Sequence, residues 1–259
     1  MRVILAQLTP VPADPEANAD RVIEVLRAHR GAELAVFPEL FLTGYALDDI
    51  HALAGRVDSS ALARVGRAAA DVGTAAVIGF AERTDDGGVA NSVACLDADG
   101  RARAVYRKTH LFGPAEEATF AAGDRLVVTE LAGRAVAPLI CFDMEFPEPA
   151  RALARAGAEL LVTASANMNP YAYEHELASR ARAMDNRRPH VYVNRTGSEY
   201  GFDFLGASRA VDAGGRVIVE AGDGEEVLEA EIAVGAGPRD AAVDYLELMR
   251  DGLTVERAG

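Results

Sequence analysis

The stretch Ala135–Thr163, AVAPLICFDMEFPEPARALARAGAELLVT, decides how this chain is put together. Ala135 to Cys141 is an apolar run of strand length. Pro147 to Ala156 reads as a helix that opens on proline and stops at Gly157. Leu160 to Thr163 reads as the next strand, so the stretch is one β-α-β unit. Downstream, Tyr173 to Arg187 predicts a helix and His190 to Asn194 a strand. Ala207 to Asp212 and Arg216 to Glu220 flank Gly214-Gly215 as a hairpin. Val227 to Ile232 predicts a last strand, and Asp240 to Met249 a last helix. Upstream the same grammar recurs. Arg2 to Leu8 is a buried strand. Asp14 caps a helix that has Pro15 at its first position and Gly31 at its close. Leu34 to Phe37 is a strand, a helix capped by Ser59 or Ser60 runs to Gly73, and Ala75 to Phe80 is a strand. Asn91 to Asp97 and Arg101 to Arg107 form a hairpin around Asp97-Ala98-Asp99-Gly100. Two such halves, with no linker or low-complexity stretch between them, predict two sheets packed together inside outer layers of helix. The whole, residues 1–259, is expected to be a single domain.

Composition narrows the function. Half of the residues are hydrophobic and 25% are charged, which excludes disorder and leaves ample core. Lys+Arg 26 against Asp+Glu 40 gives a net charge of −14, which argues against binding a phosphate backbone. No apolar run approaches the ~18–20 residues of a membrane span. No signal peptide is evident, and Cys95 and Cys141, the only cysteines, make no disulfide framework. A cytoplasmic protein without nucleic-acid or membrane partners is expected. Of the 26 cations only one, Lys108, is lysine. That is either chance or a position where a compact ammonium serves and a guanidinium does not.

Three candidate chemical groups stand just beyond strands, where ligands bind in α/β sheets. They are Glu39 in Phe37-Pro38-Glu39-Leu40, Lys108 in Arg107-Lys108-Thr109-His110, and Cys141 in Cys141-Phe142-Asp143. Cys141 precedes a helix, and a helix start and a nearby ammonium both favour a thiolate. The competing reading is a buried, inert thiol, the reading Cys95 receives inside its strand. A cysteine nucleophile needs a base. Glu39, in an apolar run, suits proton transfer near neutral pH, unless it is a strand-end acid that reaches solvent. His110 is the other option. His29 and His51 look like surface positions, and His175-Glu176 lacks a second histidine at metal-binding spacing.

Phe37-Pro38-Glu39-Leu40, Tyr106-Arg107-Lys108-Thr109-His110-Leu111-Phe112 and Ile140-Cys141-Phe142-Asp143-Met144-Glu145-Phe146-Pro147-Glu148 resemble the three signature blocks of the nitrilase superfamily of carbon–nitrogen hydrolases, in their order and spacing. Asn167-Met168-Asn169-Pro170 and the stretch from Arg182-Ala183-Met184-Asp185-Asn186 to Asn194-Arg195-Thr196-Gly197 extend the resemblance over essentially the whole chain. It implies an α/β fold, a four-layer αββα sandwich with two packed mixed sheets. Within the superfamily the chain looks most like aliphatic amidases, including 5-aminopentanamidase-like and stereoselective amidases. The family's second glutamate falls on Glu116, seven residues before Gly123, with Glu117 the alternative. Phe142 replaces the more usual tyrosine, and Asp185 stands where glutamate is commoner.

The resemblance implies hydrolysis of a small amide by acyl transfer to Cys141. Glu39 would act as base, and Lys108 with the Phe142 N–H would hold the oxyanion. Glu116 would orient Lys108 or position substrate and water. Phe142, Glu145, Asn167 and Met168 are the expected substrate-binding residues. No metal or organic cofactor is implied. The rival readings are a nitrilase, an N-carbamoyl amine hydrolase, and a non-catalytic protein that kept the fold. A homodimer or larger assembly is implied, to which Tyr245, Leu246, Leu248 and Met249, between Val243 and Leu253, could add apolar contact. Relatives that hydrolyse carbamoylated amino acids carry arginine where this chain has Glu145. The opposite charge would attract an ammonium and repel a carboxylate, unless Glu145 merely accepts hydrogen bonds at a helix start.

Overall fold

A computed structural model of the chain describes residues 1–235, 245–250, 252 and 254. The first half runs β1 (Arg2–Gln7), α1 (Pro15–Ala28), β2 (Leu34–Val36), α2 (Ile50–Leu53), α3 (Ser60–Val72), β3 (Ala75–Arg83), β4 (Val89–Leu96), β5 (Ala102–Arg107) and α4 (Gly113–Thr119). The second half runs β6 (Thr129–Leu131), β7 (Arg134–Ile140), a 3-10 turn (Cys141–Glu145), α5 (Pro147–Arg155), β8 (Leu160–Ser165), α6 (Ala172–Asn186) and β9 (His190–Asn194). It continues through β10 (Thr196–Glu199), β11 (Phe202–Leu205), β12 (Arg209–Val211), β13 (Val217–Glu220) and β14 (Glu226–Glu231).

Two six-stranded mixed sheets form, in the orders β14-β1-β2-β3-β4-β5 and β13-β12-β9-β8-β7-β6. The strands nearest the middle of each sheet pair in parallel and the hairpin strands antiparallel. Alternation along the strands sorts the side chains into layers. Val3, Leu5, Val36 and Val77 from the first sheet meet Val136, Ile140, Val162 and Val191 from the second in a core between the sheets. The opposite face of the first sheet, with Ile4, Ala35 and Ile78, packs on Val22 and Leu26 of α1 and on Leu62 and Val65 of α3. Ala137, Leu139 and Leu161 of the second sheet pack on Ala150 and Leu153 of α5. The αββα sandwich follows directly.

The caps behave largely as their residues dictate. Asp14 accepts a hydrogen bond from the Ala17 N–H, with Pro15 inside the first turn of α1. Gly73 ends α3 with φ 71°, a left-handed conformation that glycine adopts at little cost. Ser59 stands at the start of α3 but makes no capping bond through its side chain. The last strand crosses back to the first sheet and pairs antiparallel with β1, so the two halves interlock. The expected last helix begins on residues 240–244, which lie outside the described residues; Tyr245–Leu248 forms a turn. The short α2, α4, β6, β10 and β11 were not expected from the sequence.

Candidate active site

Glu39 is delivered by the turn that follows β2. Its N–H donates to the Ser165 carbonyl across the two sheets at 3.3 Å. Leu40, immediately after it, has φ 49°, a conformation that costs a side-chain-bearing residue about 1 kcal/mol or more. β3 passes beneath this turn at Gly79, where a Cβ would overlap Pro38 and Leu40 backbone atoms. The carboxylate is 1% exposed. Oε1 accepts from Asn91 Nδ2 and from Lys108 Nζ, each at 2.7 Å, and Oε2 accepts from the Ala166 N–H at 2.8 Å. The apolar sequence around Glu39 therefore carries it into a polar pocket within the core, neither to solvent nor to purely apolar surroundings.

Lys108 follows β5. Its N–H donates to the Asn91 carbonyl and its carbonyl accepts from the Gly123 N–H, both at 2.8 Å. A Cβ at Gly123 would overlap the Arg107 carbonyl, so this second strap closes only over glycine. The buried ammonium lies between Glu39 and Glu116, with Glu116 Oε1 and Oε2 at 2.9 and 2.8 Å. Burial alone would lower its pKa, but the charges of Glu116 and Glu39 outweigh burial and hold it well above the ordinary lysine value. Glu116 faces inward from α4 and is buried, whereas Glu117 beside it is exposed. The Tyr45 hydroxyl donates to Glu116 Oε1 at 2.5 Å and the Phe112 N–H to Oε2 at 2.8 Å.

Cys141 leaves the end of β7 with φ 45° and opens the 3-10 turn. Burial pushes its thiol well above the ordinary value, and the Glu39 charge pushes it further. Lys108, the Ser165 hydroxyl and the Ala166 N–H pull the other way without restoring it. This corrects the expectation of a thiolate: desolvation outweighs the helix start and the ammonium, and the resting sulfur keeps its proton. The Ala166 N–H acts on this sulfur and also donates to Glu39 Oε2, so one backbone group joins the two side chains.

Asp143 ties Cys141 to Lys108. Its Oδ1 accepts from the Thr109 and His110 N–H groups at 3.1 and 2.9 Å, and its Oδ2 from the Tyr106 hydroxyl and the Ile140 N–H at 2.8 and 3.1 Å. His110 is held outside this centre. Its Nδ1 lies 2.9 Å from Asp143 Oδ1, and its ring stacks on Phe146 at 4.2 Å. The Asp143 hydrogen bond raises its pKa. The His110 base option falls on this geometry.

Phe142, Glu145, Asn167 and Met168 line one narrow cleft together with Cys141 and Glu116. Glu145 closes the 3-10 turn and pairs with His175, with Nε2 to Oε1 3.2 Å; it does not cap a helix start. Asn167 is braced by its Nδ2 on the Tyr171 carbonyl at 3.0 Å and by its N–H on Asn194 Oδ1 at 2.7 Å. Tyr45, Asn91, Asp143 and His175 were assigned no part in the site on sequence grounds. Asn91, in the strand Val89–Leu96 where only Ser92 beside it is also polar, was the one local signal; the other three join the site only through tertiary contacts.

Residues 2–237 match the family model of the carbon-nitrogen hydrolases. A hydrolase from Pseudomonas protegens is 40% identical over 231 residues, covering 88% of this chain and 81% of its own. An (R)-stereoselective amidase from a Pseudomonas species is 37% identical over 263 residues, covering 99% of this chain and 94% of its own. A variant of the amidase from Nesterenkonia sp. AN1, with the acetamide moiety of fluoroacetamide added covalently at its active-site cysteine, superposes with a TM-score of 0.85. That structure is 32% identical and covers 96% of this chain and 94% of its own.

Proposed function

Because this chain belongs to the carbon-nitrogen hydrolase family, we propose that it is a single-domain amidase that hydrolyses a small linear amide to ammonia and a carboxylic acid through a thioester on Cys141. The observation that carries this reading is the unequal filling of two buried carboxylates. A carboxylate offers about four acceptor positions. Glu116 receives two contacts from Lys108 Nζ, one from the Tyr45 hydroxyl and one from the Phe112 N–H. Glu39 Oε2 receives only the Ala166 N–H among the described residues. The open lone pair therefore belongs to Glu39, beside the backbone group that also reaches Cys141. Glu39 is the base, and Glu116 holds Lys108 in place.

As the sulfur attacks the amide carbonyl carbon, Glu39 takes the thiol proton. A thiol held above its ordinary pKa needs such a base at the moment of attack. The carbonyl electron pair moves to oxygen, which meets the Lys108 ammonium and the Phe142 N–H, one of the N–H groups that a helical first turn leaves unpaired. Glu39 returns the proton to nitrogen, the C–N bond breaks, and ammonia leaves the thioester. Glu39 then takes a proton from water, whose oxygen adds to the thioester. The C–S bond breaks, the acid departs, and the proton returns to sulfur. Phe142 and Met168 supply apolar contact to the acyl group, and Asn167 and Glu145 supply polar contact. Ammonia release from short amides, measured beside nitriles and N-carbamoyl amines, tests this. Amides should react fastest, with an acyl adduct on Cys141 seen by mass spectrometry. Faster reaction of nitriles, or of carbamoyl amines with carbon dioxide release, would replace the substrate class. An adduct on Cys95 would overturn the mechanism.

The same reading includes a homodimer or larger assembly in the cytoplasm. Among the described residues, α6 exposes Tyr173, Leu177 and Met184 by 70, 55 and 43%, and Tyr245 and Leu248 are also exposed. Apolar side chains this open, on a helix of the outer layer, suit a second copy. A monomer mass by light scattering at micromolar concentration would count against it. Both cysteines are free, as suits a reducing compartment, and among the described residues no helix is long and apolar enough to cross a membrane.

A further inference from the structure

Arg195 is the largest fully buried side chain among the described residues, 1% exposed where the chain passes from β9 to β10. Its Nη1 donates to Glu199 Oε2 at 2.5 Å, and its guanidinium lies over the Phe204 ring at 4.0 Å. Burial lowers its pKa despite the charges of Glu199 and Glu39. Among the described residues its Nε and Nη2 reach no acceptor, and Glu199 Oε1 no donor. A buried ion pair offsets its desolvation only when hydrogen bonds fill the remaining positions, and apolar replacement of such a pair is often neutral or stabilising. Stability therefore gives little reason for this pair. Its placement gives another.

Glu199 grips the segment that follows Glu39. Its Oε2 also accepts from the Tyr45 N–H at 3.0 Å. The carboxylate lies against Gly44, where φ is 73° and a Cβ would stand 2.6 Å from Glu199 Oε1, so only glycine admits it there. The Tyr45 ring meets Phe202 and Phe204 of β11 edge-on at 5.7 and 5.8 Å. The β10–β11 hairpin thus holds Tyr45 at its backbone and at its ring. The far end of Tyr45 is the hydroxyl, which donates to Glu116 Oε1 at 2.5 Å. Burial and the Glu116 charge hold that hydroxyl well above the ordinary tyrosine value, so it stays a donor. Glu116 Oε1 in turn lies 2.9 Å from Lys108 Nζ. Four contacts run from Arg195 through Glu199, Tyr45 and Glu116 to the ammonium. The hydroxyl shares Glu116 Oε1 with the ammonium. Without it the full charge of that oxygen falls on Lys108 and draws it away from Glu39 and from the substrate oxygen.

We propose that Arg195, Glu199 and Tyr45 are positioning residues: the ion pair fixes Tyr45, and the Tyr45 hydroxyl sets Glu116, and through it the Lys108 ammonium, at the point where the oxyanion forms. The inference rests on the amidase reading above. An interaction that reaches the oxyanion is made in the transition state, so its loss lowers kcat and leaves KM nearly alone. Loosening of the hairpin as a whole acts otherwise. Phe204 bridges to Met168 of the cleft wall, so that change would raise KM.

The test is kcat and KM of the intact chain for butyramide, assayed well below the Tm of each variant. Tyr45→Phe keeps the ring and should lower kcat about tenfold or more, as for a lost hydrogen bond to a charged group, with KM within about threefold. Glu199→Leu should lower kcat to a similar degree, and Glu199→Gln, which keeps an oxygen for the Tyr45 N–H, should recover part of it. Because the pair acts through the hydroxyl, the losses should not multiply: Tyr45→Phe with Glu199→Leu should be about as slow as the slower single variant. Arg195→Met with Glu199→Leu, which removes both charges, should keep Tm near the parent's while kcat stays low. A normal kcat for Tyr45→Phe overturns the proposal. So do losses that multiply, or a rise in KM that accounts for the whole loss of kcat/KM. A lower Tm with normal kcat in the paired replacement makes the pair a brace for the fold alone and overturns its positioning role. If Glu199→Leu does not fold, Glu199→Gln takes its place beside Tyr45→Phe. If butyramide acylates Cys141 and these variants keep their rates, only this inference fails. If no short amide acylates Cys141, the amidase reading itself fails.

Discussion

Cys95 and Cys141 belong to the same core between the two sheets, and both are buried. They differ in where their strands leave them. Cys95 lies inside β4, paired with Val77 on one side and Ala104 on the other. Burial alone pushes its thiol up to about 12, with no charged side chain contributing. Cys141 stands where β7 ends, with a left-handed backbone and with Glu39 and Lys108 acting on its sulfur. Burial holds both thiols above their ordinary value, so it does not separate the cysteine we propose as nucleophile from the other. The difference is that Glu39 and Lys108, the proposed base and oxyanion charge, act on Cys141 alone of the two.

The largest expected effect is on Cys141. Cys141→Ala should remove measurable turnover while Tm shifts by no more than about 4 °C, the change that about 1 kcal/mol makes. Retained turnover would mean that the two thiols had been assigned the wrong way round. Lys108→Arg should lower kcat by about 10²–10³-fold, as when an oxyanion contact is lost, because the ammonium sits within 3 Å of three carboxylate oxygens and a guanidinium fork does not fit that space. A near-normal rate would leave the reactive cysteine with no more electrostatic help than Cys95 has.

Burial acting without an opposing charge can also be read in His190, chiefly desolvated like Cys95. Its pKa falls to about 4, while its Nδ1 bonds the Ser179 carbonyl and its Nε2 the Thr163 hydroxyl. The unfolded chain takes up this proton below the ordinary 6.5 and the folded protein does not until about 4. Stability is therefore full above that upper value, falls as the pH drops between the two, and then levels, for a total of roughly 3 kcal/mol. His110, whose pKa is raised, works in the opposite direction. Subtracting the urea-unfolding curve of His190→Gln isolates the His190 contribution; a difference that does not change with pH would refute it. The smallest effect belongs to Cys95→Ala. It should cost about 1–2 kcal/mol of stability through a small cavity, with kcat/KM within about twofold of the parent. A large kinetic loss would break the distinction between the two cysteines.

The sequence was most legible where one local rule decides. Apolar runs, Asp14 with Pro15, and Gly73 and Gly157 place the main strands and helices close to their observed bounds. The single lysine and the residues beyond three strand ends marked Lys108, Glu39 and Cys141, which the fold brings into one pocket. The short segments were illegible. Gly113–Thr119 is too brief to show a periodic face, and β10 and β11 form a two-stranded sheet of their own beside the main pair. Tyr45 and His175 carry no motif; each finds its partner, Glu116 or Glu145, across a long chain separation.

By itself the sequence determined what depends on neighbours along the chain: the elements, their caps, the layered architecture they require, and which ionisable residues stand at strand ends. Only the tertiary structure decided what depends on neighbours in space. It closed the first sheet with the last strand, filled Glu116 with donors while leaving Glu39 an open lone pair, and kept the Cys141 thiol protonated against the pull of Lys108. The physical reason is that desolvation and hydrogen-bond saturation are sums over everything within a few ångströms of an atom. In this protein most of those neighbours come from strands and loops distant in the chain.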